Sequence, residues 1–186
     1  MSQPFKLRPG RLLGHRLISD RRGVAAVEFA LLLPFMLMLY LGGFELFQGI
    51  AVDRMNTLAA STVTNLVAQY TTISATTQMP DILNASSQVL TPYPAVNAHV
   101  VVTCITIDGA GNATVAWSKA LNGNAKAVGQ AIAIPAALAI PNTEVILGES
   151  TYDYTPTIDF IHIGTLNLHS YSYMLPRAST TIALTA

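Results

Sequence analysis

"VAAVEFALLLPFMLMLYLGGF", residues 24–44, decides the fold. It contains 21 residues and a single charge, Glu28. Wound as a helix at 1.5 Å per residue it is roughly 31 Å long, close to the ~30 Å hydrocarbon thickness of a bilayer. Pro34 sits inside it. In a soluble helix such a proline costs ~3 kcal/mol, but membrane helices tolerate it because neighbours satisfy the freed carbonyl. A kink at Pro34 that aids packing and a merely tolerated proline are both open readings.

The flanks of this run are asymmetric. The chain has 186 residues, no net charge and a mean hydropathy of +0.43. Six of its ten basic residues (Lys6, Arg8, Arg11, Arg16, Arg21, Arg22) precede Gly23, against one acid, Asp20. The remainder carries four basic and nine acidic residues, a net −5. A mildly acidic body argues against nucleic-acid binding. A basic stub beside an apolar run marks the cytoplasmic flank of a span, so residues 1–22 are expected inside and everything beyond about residue 50 outside. Glu28 is the anomaly, since a carboxylate in a span costs up to a few kcal/mol unless it is paired or near the interface. A secretory signal peptide with an apolar region at 29–41 and a plain single-span anchor both leave Glu28 without a purpose.

A third reading gives it one. A short basic leader, Gly23, the four residues "VAAV", Glu28 and Phe29 together resemble the processing site of type IV prepilins. Within that superfamily the chain resembles the TadE-like minor pilins (pseudopilins) of tight-adherence, or Flp-type, pilus systems. "RRGVAAVEFALLLP" (21–34), "IPNTEVILGESTYDYTP" (140–156) and "YSYMLPR" (171–177) carry the resemblance, which covers residues 19–60 and 134–178. Residues 76–133 match only in general pattern. The resemblance implies cleavage after Gly23 by a membrane-embedded prepilin peptidase. Val24 then bears a new α-amino group, protonated at neutral pH given its ordinary pKa of about 8. Glu28 pairs with that group, on its own or a neighbouring chain, and docks the subunit together with Phe29. It further implies pilus subunits and the pilus assembly platform as partners, and a bacterial inner-membrane location. The N-terminus would be cytoplasmic and the C-terminal domain periplasmic, with the chain docked at the base of the pilus or incorporated in it. The alternative is an unprocessed, single-pass envelope anchor with an outer binding domain.

Beyond the span a helical period continues through Leu46, Ile50, Leu58, Val63, Leu66, Val67 and Tyr70, which predicts one long helix over 20–73. "TTISATTQ" reads as a linker, and "MPDILNASSQVL" as a short helix with Pro80 and Asp81 in its first turn. "NAHVVVTCITID", "GAGN" and "ATVAWSKA" read as a β-hairpin. Residues 121–142 form a connector. "TEVILGESTYDY" and "NLHSYSYMLP" are a third and a fourth strand. The fold class expected is therefore α+β: a long membrane-spanning helix, then a small antiparallel sheet with a short helix, the sheet laid against the outer half of the long helix. The expected divisions are a leader at 1–23, the span at 24–48, its helical extension at 49–75 and an extracytoplasmic domain at 76–186.

No enzyme constellation is present: there is no nucleophile elbow, P-loop, zincin motif or cysteine pair. His15, His99, His162 and His169 fit no metal spacing. Asp153 and Asp159 read as surface acids. Cys104, in an alternating apolar run, reads as a buried small hydrophobe. The sequons at Asn84 and Asn112 are unsurprising in a chain rich in Asn, Ser and Thr. No catalytic residue, metal, cofactor or small-molecule substrate is expected. Tyr152 and Tyr154, like Tyr171 and Tyr173, alternate so that each pair shares a strand face. Each pair reads as sheet packing or as a subunit interface.

Overall fold

A computed structural model describes residues 23–158 and 164–186. The basic leader up to Arg22, with His15, and the later Asp159 and His162 lie outside the described residues. The chain divides into two compact units at Gly43/Phe44.

Helix α1, Val24–Ala68, runs through that division and includes Pro34. Its stretch up to Gly43 is long and apolar enough to cross a membrane, and none of its most hydrophobic window is buried. Leu31, Phe35, Leu39 and Tyr40 are all exposed. A helix apolar all round, with none of the described residues covering it, matches a lipid solvent rather than a protein core.

In the second unit α1 is followed by β1 (Thr72–Ser74), α2 (Gln78–Gln88), β2 (Ala98–Ile107), β3 (Ala113–Leu121), β4 (Thr143–Tyr154), β5 (Leu166–Met174) and β6 (Ala183–Thr185). Four strands form an antiparallel sheet in the order β3-β2-β4-β5. The α+β class and all four of these strands agree with the sequence pattern. The hairpin turn between β2 and β3 is built on Asp108, whose carboxylate accepts the N–H groups of Ala110 at 2.9 Å and Asn112 at 2.8 Å, with Gly111 supplying a positive φ. These hydrogen bonds, chiefly from Asn112, hold the Asp108 carboxyl below its ordinary pKa.

Two expectations are corrected. The "TTISATTQ" stretch is not merely a linker: Thr72, Ile73 and Ser74 pair in parallel with Ala183, Leu184 and Thr185. Ile73 is fully buried in the main core with Val67, Met79, Val102 and Trp117. The second correction concerns the face of α1. Leu46, Ile50 and Leu58 are exposed by 66%, 46% and 55%. Val63 and Val67 of the expected period are buried, and Val52, Asn56, Ala59, Ala60, Thr64 and Ala68 complete their stripe. The physical reason is a close approach to the sheet at Gly148 of β4. A Cβ there would stand 2.6 Å from the Ala60 carbonyl oxygen, 2.8 Å from Val63 Cγ1 and against Thr64 Oγ1. Only small residues on α1 and a glycine on β4 permit this spacing.

The C-terminal end of α1 is closed by the chain's last segment. Arg177 N–H donates to the Ala68 carbonyl at 2.9 Å, satisfying one of the carbonyls that a helix end leaves unpaired. Trp117 Nε1 donates to the Ile182 carbonyl at 2.8 Å, so the same segment is pinned to β3.

Candidate functional site

Gly23 immediately precedes α1, and a Cβ built on it would meet nothing within 4 Å. Val24 is the first residue of the helix. Glu28 and Phe29 are both exposed, on the second turn. The four residues singled out at this end therefore share one uncovered helix start, with the backbone at Gly23 open to approach.

The tyrosines separate. Tyr152 and Tyr154 face α1 and are buried, packing with Val52, Ala59 and Leu90. Tyr152 meets Tyr93 edge-on at 6.3 Å between centroids, and its hydroxyl donates to the Pro94 carbonyl at 3.3 Å. Burial raises the pKa of both hydroxyls; the Glu45 carboxylate adds to the effect at Tyr154. Tyr171 and Tyr173 lie on the opposite sheet face, since they register with Glu149 and Leu147 of β4. Their rings meet edge-on at 5.8 Å. Tyr173 packs on the buried cluster of Ile105, Ile107, Ala113, Val145 and Leu147, whereas Tyr171 is 62% exposed. Burial, then Glu149, raises the Tyr173 hydroxyl.

The same outer face holds two of the histidines. His99 Nε2 lies 3.3 Å from Asp153 Oδ2, and its Nδ1 contacts the Asn122 carbonyl. His169 Nδ1 lies 3.0 Å from Thr151 Oγ1. Each is occupied by hydrogen bonds to its neighbours. No cluster of three potential metal ligands occurs among the described residues. A cleft of about 220 Å³ opens beside Gln48, Tyr93, Asn97 and Tyr154. It falls below the ~300–1000 Å³ usual for small-molecule sites.

Three buried polar groups on α1 escaped the sequence reading: Thr64, which donates within the helix to the Ala60 carbonyl, and two that reach outside it. Asn56 is fully buried and clamps α1 to the sheet. Its Nδ2 donates to the carbonyls of Ser150 at 2.9 Å and Leu168 at 2.8 Å, and its Oδ1 accepts from Ser150 Oγ at 2.6 Å. Glu45 is 9% exposed and accepts the Ile158 N–H at 3.0 Å. The available signal for Asn56 was positional. It stands four residues after Val52 and before Ala60, on the face of a helix that is otherwise apolar or small there. An asparagine so placed must find internal partners.

No curated protein and no solved structure matches the chain. Residues 23–65, most of α1, match the family model described as TadE-like protein, so this part of the chain is similar to that family.

Proposed function

We propose that this chain is a membrane-anchored minor pilin, or pseudopilin, of a tight-adherence pilus system, processed after Gly23 and acting through assembly rather than catalysis. One observation carries the reading. The family match begins at Gly23, immediately before an exposed, bilayer-length apolar stretch of helix, and it includes Glu28. Glycine leaves the backbone accessible to a peptidase on the cytoplasmic side. The cut releases the basic leader and creates an ammonium group on Val24. A carboxylate four residues on then has a charged partner, which makes it tolerable at membrane depth. Phe29 and the apolar residues after it supply helix packing, and the outer domain supplies contacts to other subunits. The positive-inside asymmetry supports a cytoplasmic N-terminus and an outer β domain in the bacterial inner membrane or the pilus.

Mass spectrometry of the membrane form tests the processing step: the expected N-terminus is Val24, and a chain starting only at Met1 or Ser2 overturns it. Glu28→Ala tests the pairing. The expected result is at least a tenfold loss of pilus assembly at normal membrane levels. An unchanged pilus yield favours the unprocessed envelope anchor instead.

A further inference from the structure

The turn that ends β3 holds a reactive pair. "LNGNAK", residues 121–126, contains the only asparagine of the sequence that is followed by glycine. An Asn-Gly pair is the one most prone to lose its side-chain amide, because nothing on the glycine keeps its backbone nitrogen from the asparagine Cγ. In that reaction a bond forms from Gly123 N to Asn122 Cγ and the Cγ–Nδ2 bond breaks. Ammonia leaves, carrying the former N–H proton of Gly123. Water then adds across one C–N bond of the succinimide ring and gives aspartate or isoaspartate.

The fold holds this pair shut. The β2–β3 ladder ends with Val100 paired to Leu121, so Asn122 is the first residue beyond it. Asn122 is exposed, so water has access, and its φ is 53°, in the left-handed region that asparagine tolerates better than most residues. Its amide is nevertheless engaged: Nδ2 donates to the carbonyls of Ala98 at 3.1 Å and Ala95 at 3.3 Å. Its own carbonyl contacts His99 Nδ1. All three partners lie in the segment that leads into β2, so Asn122 latches the end of β3 to the start of β2. Ring closure requires the carboxamide to turn onto its own backbone and bring the reacting atoms to about 3 Å. A side chain tied to carbonyls 24 and 27 positions away is not free to make that turn.

We propose that Asn122–Gly123 is a deamidation site that the latch keeps closed, and that opening of the latch converts it irreversibly. An aspartate in this place is an acceptor only, facing two carbonyls that are acceptors as well, so neither bond re-forms. Isoaspartate adds a methylene to the backbone and displaces the side chain from both carbonyls. Either product leaves the turn unlatched, so a transient local opening becomes a permanent covalent change. The site belongs to the outer domain, and the proposal goes beyond the pilin reading, holding whether or not Gly23 is cut.

The test is peptide mapping by mass spectrometry, with isoaspartate resolved, on the full chain incubated in detergent at pH 8. Asn122 is expected to convert at least tenfold more slowly than in the same chain held in guanidinium. Side-chain amide exchange, read by NMR, reports the latch itself. The Nδ2 protons of Asn122 are expected to exchange at least tenfold more slowly than those of Asn124, which is exposed in the same connector. Asn122→Asp, the product made directly, is expected to melt several degrees below the parent; if it fails to fold, the two measurements on the parent still decide. Equal conversion in the folded and unfolded chain, Asn122 amide protons that exchange as fast as those of Asn124, or an Asn122→Asp chain that melts with the parent each overturns the proposal.

Discussion

Cys104 shows how an environment removes chemistry from a reactive side chain. The residue is fully buried on β2, and its Sγ donates to Glu144 Oε2 at 3.2 Å. Burial comes first in pushing its thiol well above the ordinary cysteine range, and the Glu144 carboxylate adds to it. The thiolate is the nucleophile, so a thiol held protonated is inert. In the native chain in detergent, maleimide at pH 8 is expected to leave Cys104 unlabelled for hours, whereas full labelling follows in guanidinium. A pH consequence follows with a definite sign. Above about pH 9 the unfolded thiol loses its proton and the folded one keeps it, so the folded state binds more protons and stability falls as pH rises. Tyr152, Tyr154 and Tyr173 add to the fall in the same direction, from their higher ordinary value near 10. Cys104→Ala is therefore expected to flatten the first part of the alkaline decline, near pH 9, in thermal melts, despite a lower stability at neutral pH. Much of this was legible in the sequence, because "VVVTCITI" alternates and has no basic neighbour. The Glu144 contact was not, since it joins residues 40 apart on different strands.

At the scale of elements, the helix-on-sheet contact is governed by size rather than hydrophobicity. Periodicity located α1 and the four strands, though it ran the helix on to residue 73 where it ends at Ala68. It placed Val63 and Val67 on the buried face but wrongly added Leu46, Ile50 and Leu58, because it ranks them above alanine, threonine and asparagine. The close approach at Gly148 reverses that order, admitting Ala60 and Thr64 and leaving the large side chains outside. Nothing within a single element signals this, since the glycine and its alanine partner are 88 positions apart. The parallel β1–β6 pair was hidden for a similar reason: three residues on each side, about 110 positions apart, carry no period to read. The TadE-like likeness at the start of α1 was legible for the opposite reason, since Gly23, Glu28 and Phe29 lie within seven residues of one another. Gly148→Ala tests the contact. The Cβ meets a backbone carbonyl that cannot rotate away, so α1 must lift from β4. The expected loss is about 3 kcal/mol, read as a lower midpoint in chemical denaturation. A change below ~0.5 kcal/mol, the usual size at surface sites, would show that the helix has room to move.

At the scale of the molecule, the division at Gly43/Phe44 separates two kinds of solvent requirement. Before it, an uncovered apolar helix has no protein core of its own to enter. After it, the buried residues of α1 begin at Glu45 and continue through Ala68, and every cluster of the core draws only on residues from Val52 onward. Stability and membrane affinity should therefore be separable. A chain starting at Phe44 keeps Glu45 and its bond to Ile158, the Asn56 clamp and the Gly148 contact. Among the described residues it loses, 23–43, none is buried. This shortened chain is expected to leave the membrane fraction and to melt within ~5 °C of the full chain in detergent, a shift corresponding to about 1 kcal/mol for a domain of this size. The same chain carrying Asn56→Ala supplies the contrast. Removing the amide leaves Ser150 Oγ, buried between α1 and the sheet, without its acceptor, and strips a bond from the Ser150 and Leu168 carbonyls. Losses of this kind cost roughly 2–3 kcal/mol, so the melting temperature should drop by several degrees more than the truncation alone produces. If the truncation proves as damaging as Asn56→Ala, the residues before Phe44 contribute to the outer fold and the two roles are not independent.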